Sequence, residues 1–332
     1  MRRIVIMSVV LGGLALTGPV ALAGACGGGS GVALVAYSTP REAYAELIPA
    51  FQKTDAGAAV EFTESYGASG EQARAVLAGL KADVVAFSLE PDMTKLVEEG
   101  IVAGDWNANQ YKGIVTRSVV VFIVRKGNPE GIATWDDLLK PGIEVIEPNP
   151  FTSGGAKWNI MAAYGAQLEQ GRSETEAEAY LADLFDHVVV QDKSAREALQ
   201  TFVGGKGDVM LGYENEAITA QQKGEDIDYV VPAETILIEN PIAITENSPV
   251  ATAAQAFVDF LYTPEAQEIY AAKGYRSVLS EVLDEAAYPA PAKLFTIADL
   301  GGWSDVNRIF FDPSGSVMSR IEEGLGISVE AK

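Results

Sequence analysis

Four short stretches combine residue types that suit the capture of an anion. Thr39-Pro40-Arg41-Glu42 has the order of a helix start: a capping hydroxyl, proline at the first helical position and Glu three residues after the cap. Ser69-Gly70-Glu71-Gln72 and Ser194-Ala195-Arg196-Glu197 repeat that spacing, and Ser153-Gly154-Gly155 opens a fourth helix with two glycines and no box. The first turn of a helix presents backbone N–H groups without intrahelical partners, together with a partial positive charge. Small residues there let a ligand approach the backbone, and serine hydroxyls add donors. Each stretch is a sound helix start in its own right. Several converging on one point would hold a fully ionised anion by neutral hydrogen bonds alone.

Other chemistry has little support. His187 is the only histidine and Cys26 the only cysteine, so a zinc cluster, an intramolecular disulfide and most nucleophile–base pairs are excluded. Gly67-Ala68-Ser69-Gly70 is not a nucleophile elbow, and neither a Walker A loop nor a G-x-G-x-x-G fingerprint occurs. Asp105-Trp106-Asn107-Ala108-Asn109 begins like a calcium loop but lacks its glycine and has Thr116 at the twelfth position. The chain reads as a binding protein without cofactor or metal, and not as an enzyme.

The helix starts must follow strands to face one point. Short β-branched runs at 32–37, 59–63, 83–87, 118–125, 143–147, 187–191 and 208–213 alternate with helical patterns at 40–52, 70–81, 154–170, 195–203 and 216–223. This alternation predicts an α/β protein with a mostly parallel sheet. Ligands of such sheets bind beyond the carboxyl ends of the strands. Two stretches, 111–118 and 230–240, are expected to cross between lobes. Lobe 1 is then 32–118 plus 234–332, lobe 2 is 119–233, and the ligand cleft lies between them.

The first 25 residues look like a removable export segment: Arg2 and Arg3, an apolar run from Ile4 to Leu16, then small residues. Leu22-Ala23-Gly24-Ala25 before Cys26 resembles a bacterial lipobox, and residues 26–31 form a lipidated cysteine with a glycine-rich tether. A diacyl chain there would hold the domain at a membrane surface. The net charge is −22, and losing the two arginines makes it more negative still. Such a balance argues against nucleic acid and repels anions at long range, so an anion site has to work locally.

Longer segments carry a resemblance. Asn149-Pro150-Phe151-Thr152-Ser153-Gly154-Gly155-Ala156-Lys157-Trp158-Asn159 is similar to the P-x-T-S-G-G-A-x-W-N segment of bacterial periplasmic sulfate-binding proteins. Gly67 to Arg74, Val124 to Pro129, Gly207-Asp208-Val209, Glu214-Asn215-Glu216-Ala217, Leu294 to Ile297 and Gly301-Gly302-Trp303 resemble further segments, in order, over about residues 33 to 320. The resemblance implies the type II periplasmic-binding fold and the receptor of a sulfate or thiosulfate ABC importer, working as a monomer with membrane permease subunits. By position it implies hydroxyl donors at Ser69 and Ser153, and backbone donors at Gly154, Gly155, Ala195 and Ser38. Ser38 stands where the family has aspartate. Arg196 matches an arginine behind the ligand-binding peptide. Tyr213 replaces the family's tryptophan donor, and a phenol there also fits a receptor for molybdate or another tetrahedral oxyanion. A site of donors only would reject hydrogen phosphate, provided no carboxylate reaches the cleft. Asp192 and Glu214, the nearest carboxylates in sequence, are given structural roles.

Overall fold

The computed structural model describes residues 30–327 and residue 329. The expected leader, Cys26 and most of the tether lie outside them. Ser30 and Gly31, expected in the tether, begin the first strand, where they pair with Val60 and Glu61.

The first flank of the molecule is β1 (Ser30–Tyr37), α1 (Arg41–Phe51), β2 (Val60–Gly67), α2 (Ser69–Leu77), β3 (Val84–Ala86) and α3 (Glu90–Glu98). A long strand, β4 (Ile114–Arg125), leads to β5 (Val145–Ile146), α4 (Gly154–Glu169), α5 (Glu174–Asp186), β6 (Val188–Val190), α6 (Ala195–Val203), β7 (Val209–Tyr213), α7 (Glu214–Gln222) and β8 (Ile227–Val230). A second long strand, β9 (Glu234–Ile244), is followed by α8 (Ala251–Leu261), α9 (Pro264–Ala272), β10 (Lys293–Phe295), α10 (Gly302–Val306) and α11 (Val317–Gly324).

The ten strands of the described residues join one sheet, in the order β2-β1-β3-β9-β4-β7-β5-β6, with β10 on β9 and β8 on β4. The outer pairs β1–β2, β1–β3, β5–β6 and β5–β7 are parallel, as the βα alternation requires. The two long strands run antiparallel to each other and to β3, β7 and β8. Both stretches expected to cross between lobes therefore form much of continuous strands. β4 pairs with β9 up to Val119 and with β7 from Val120. Its apolar run Val119–Val124 is buried throughout, so no register with a solvent face competes.

Two main cores lie on either side of this central pair. One gathers Val32, Leu34, Tyr44, Phe51, Phe257 and Tyr270. The other gathers Val120, Phe122, Trp135, Trp158, Leu181 and Phe185. The last segment of the chain, with Trp303, Phe310, Phe311 and Met318, packs into this second core. Trp303 meets Trp158 edge-on at 4.7 Å between ring centres.

Three local expectations need correction. The Thr39 box does not form: α1 has no side-chain cap, Thr39 Oγ1 donates to Glu216 Oε1 at 3.3 Å, and Glu42 pairs with Arg196 and Lys223. The Ser69 box does not form either. Ala68 is the N-cap, Ser69 lies inside the helix, and Gln72 accepts from the Ser65 hydroxyl. Ser194 and Ser153 do cap their helices, accepting from the Glu197 and Ala156 amides, but no return bond from Glu197 closes a box. Where a hydroxyl has a buried tertiary partner, the local cap loses it.

Candidate functional site

Six turns converge on one enclosed cavity, and each follows a strand. The turns after β1, β2 and β3 bring Ser38 and Thr39, Gly67 to Ser69, and Ser88. From the other flank, the starts of α4 and α6, after β5 and β6, bring Ser153 to Gly155 and Ser194-Ala195, and the end of β7 brings Tyr213. The site therefore draws three turns from each side of the β9–β4 pair. The seven residues singled out as ligand-binding, Ser38, Ser69, Ser153, Gly154, Gly155, Ala195 and Tyr213, all line it.

The cavity is small. The room open to the centre of a water-sized sphere is about 10 Å³. A cavity this small excludes an organic solute and leaves room at most for a compact ion of a few heavy atoms. A larger hollow of about 340 Å³ lies outside it, between α6 and α7, with Thr39 and Arg196 in the dividing wall. It is lined by the charged side chains of Arg196, Glu216, Lys223 and Glu225 and by the partly buried Leu199 and Val203 rather than by an array of neutral donors, so the smaller cavity is the better site.

Among the described residues no acceptor is found for the amides of Gly154, Gly155 and Ala195, all in the first turns of their helices. Gly154 is glycine for contact reasons. A Cβ there would sit 2.8 Å from Ser88 Cβ and Oγ and 2.9 Å from Leu89 Cδ2. No lining residue carries a charged side chain.

A model of bacterial extracellular solute-binding proteins matches residues 32–276. A sulfate-binding protein of Synechococcus elongatus is 43% identical over 303 residues, covering 87% of each chain. One from Escherichia coli is 38% identical, over 85% of this chain and 90% of its own. The solved structure of the sulfate-binding protein SubI from Mycobacterium tuberculosis is 46% identical and superposes with a TM-score of 0.83, over 85% of this chain and all of that one. The chain belongs to the sulfate/thiosulfate-binding group of bacterial extracellular solute-binding proteins. It is a binding protein and not an enzyme, and this family is exported.

In this solute-binding protein Arg196 stands behind the cavity wall. It donates to the Ser38 and Thr39 carbonyls at 3.3 and 3.5 Å and pairs with Glu42. Burial works against the Glu42 carboxylate, but the hydrogen bonds and charges of Arg196 and Lys223 hold its pKa down at about 2. Tyr213 is wholly buried, and its hydroxyl lies 2.7 Å from Ser88 Oγ. Burial pushes the phenol pKa up, outweighing the Ser88 bond, so Tyr213 keeps its proton and remains a donor.

Ser88 also lines the cavity, and sequence reasoning missed it. A signal was present: it is a hydroxyl residue directly after a buried strand, like Ser38. Neither Asp192 nor Glu214 lines the cavity. Glu214 has a structural partner, pairing bidentately with Arg276 at 2.7 and 3.0 Å. The carboxylate nearest the site's hydroxyls is Asp92, not Asp192 or Glu214. Ser69 Oγ donates to Asp92 Oδ2 at 2.7 Å and accepts from the Ser88 amide at 3.0 Å. The wall is therefore not made of donors alone, because Ser69 offers the cavity a lone pair. His187 takes no part, its Nδ1 lying 3.0 Å from the Ile143 carbonyl.

Proposed function

We propose that this chain is the extracytoplasmic receptor that delivers sulfate, and by kinship thiosulfate, to an ABC importer. The observation that carries the reading is the enclosed cavity itself. It offers free amides from two helix starts and the hydroxyls of Ser88, Ser153 and Tyr213, with no charged side chain in its lining. A fully ionised tetrahedral anion is matched by such donors, and the surrounding protein excludes water that would compete for them. Ser38, Ser69, Ser153, Gly154, Gly155, Ala195 and Tyr213 are the contacts, and Arg196 braces the peptide from behind. Among the described residues no helix is long and apolar enough to cross a membrane.

The two flanks act as lobes, 32–118 with 234–332 and 119–233, joined through β4 and β9. Closing them around the anion is a hinge motion, and the permease reads the closed form. The change of strand partners at Val119 and Val120 supports the boundary. The final helices brace the second lobe from the first. The protein works as a monomer tethered through lipidated Cys26. Cys26→Ser should move it from the membrane fraction to the soluble one.

Calorimetric titration of residues 27–332 with sulfate, molybdate and phosphate tests the ligand. Sulfate should bind tightest, and Ser153→Ala should weaken it by about tenfold, the loss of a hydrogen bond to a charged group. Tighter molybdate binding would move the ligand and put Tyr213 first under suspicion. Absence of binding by all three would reduce the helix starts to caps.

A further inference from the structure

The Ser69 hydroxyl is a lining donor whose proton is already committed to a buried carboxylate, as the Thr39 proton is to Glu216 across a longer 3.3 Å. A hydroxyl has one proton and two lone pairs. Here the proton points at Asp92 Oδ2, 2.7 Å away, and one lone pair takes the Ser88 amide. What remains for the cavity is a lone pair, and an ionised sulfate oxygen has only lone pairs to set against it. Asp92 is 3% exposed and stands behind Ser69, outside the lining.

We propose that Asp92 is a positioning residue for the anion: it holds the Ser69 proton while the cavity is empty, and the anion has to compete with it for that proton. The inference rests on the sulfate reading above. On binding, the Ser69 O–H swings from the carboxylate to the anion, and no bond to carbon or sulfur changes. Asp92 keeps a partner when this happens, because Lys95 Nζ lies 3.0 Å from its other oxygen. A second cation is close by. Arg74 has a buried Nη2 without a hydrogen-bond partner, and its Nη1 and Asp92 Oδ1 both border Gly70, 3.4 and 3.9 Å from where a Cβ would stand. The α2 start thus carries an internal competitor for its own ligand. Asp92 lowers affinity and speeds release, which suits a carrier that must surrender its cargo.

The test is a double-mutant cycle on the mature chain, read by sulfate calorimetry and thermal melting. Asp92→Asn keeps the shape and replaces a charged acceptor with a neutral one. It should tighten sulfate binding by about tenfold, the difference between a charged and a neutral hydrogen bond. In a Ser69→Ala background the same change should alter affinity by less than about twofold. A purely structural role predicts the opposite sign, namely weaker binding on Asp92→Asn. Unchanged or weaker binding with melting retained overturns the proposal. So does a gain that persists without the Ser69 hydroxyl, since that would be a field effect of the lost charge. Lys95→Ala, at an exposed position, supplies a second arm should Asp92→Asn fold poorly. Losing its other partner, the carboxylate should grip the Ser69 proton harder and weaken sulfate several-fold, an effect that vanishes with Ser69→Ala; strengthened binding there also overturns it. Wild-type protein that ignores sulfate would sink the receptor reading before any variant is made.

Discussion

Ser88 Oγ and Tyr213 Oη lie 2.7 Å apart, joining the turn after β3 to the end of β7 across 125 residues of chain. Both side chains line the cavity and both are 1% exposed. One of their two protons makes the bond between them, which leaves one to face the ligand, and either residue can supply it.

This sharing predicts non-additive losses. Ser88→Ala and Tyr213→Phe should each weaken sulfate binding by only a few-fold, since the survivor turns its proton to the anion. The double variant loses the donor outright and should fall by more than the product of the two, by about tenfold or more. Calorimetry on the three variants measures this, and simple additivity would mean that the hydroxyls act independently.

Gly154→Ala should be far more damaging than its size suggests. Its Cβ would press on Ser88 and Leu89, holding the start of α4 away from the turn after β3. Overpacking of this kind costs about 1–3 kcal/mol. Because the clash is between the two flanks, it should fall on ligand binding more than on folding. Sulfate affinity should drop at least tenfold, about 1.4 kcal/mol, with a small change in the melting temperature of the empty protein.

The Glu214–Arg276 pair is buried at both ends, with 1% and 6% exposure. Arg276 also donates to the Tyr288 and Pro289 carbonyls, and its backbone bridges to Arg117. Removing the cation leaves a buried carboxylate without compensation. Arg276→Met should therefore destabilise the protein by about 3–5 kcal/mol in urea unfolding at neutral pH. Glu214→Gln, which leaves the guanidinium with carbonyl partners, should cost less.

Empty protein should melt higher at pH 5.5 than at pH 8. Burial raises the Glu216 pKa to about 7, against the Arg196 charge and the hydrogen bonds from Tyr213 and Thr39, with Glu42 adding a little to the rise. Burial also raises Glu147, despite its bonds from Asn159, and takes Glu322 to about 7. In the unfolded chain these groups ionise near 4.5. Between that value and 7 the native state holds protons the unfolded state has released, so stability falls as pH rises through the window. For Glu216 alone the full difference is about 3 kcal/mol. The Glu42 carboxylate works in the other direction, its contribution being lost only on acidification towards 2. Thermal melts across the range check the trend, and Glu216→Gln should flatten it.

Much of this protein is legible along the chain. Strand and helix alternation is set by local periodicity, and α6 begins and ends where its apolar spacing says. The donors at Gly154, Gly155 and Ala195 are also local facts, because the N–H groups of a first turn have no partner within their own helix. What the chain could not show is where a hydroxyl points. Thr39 and Ser69 read as caps and instead serve Glu216 and Asp92, while the box at Ser173 and Glu176, with both its bonds, went unread. A rotatable O–H takes the best acceptor within about 3 Å. Only the folded sheet, by closing turns from both flanks around one cavity, decides which acceptor that is. The backbone donors were thus determined by sequence. The competition between Asp92 and an anion for the Ser69 proton, and the sharing of protons between Ser88 and Tyr213, exist only because tertiary structure brought those atoms together.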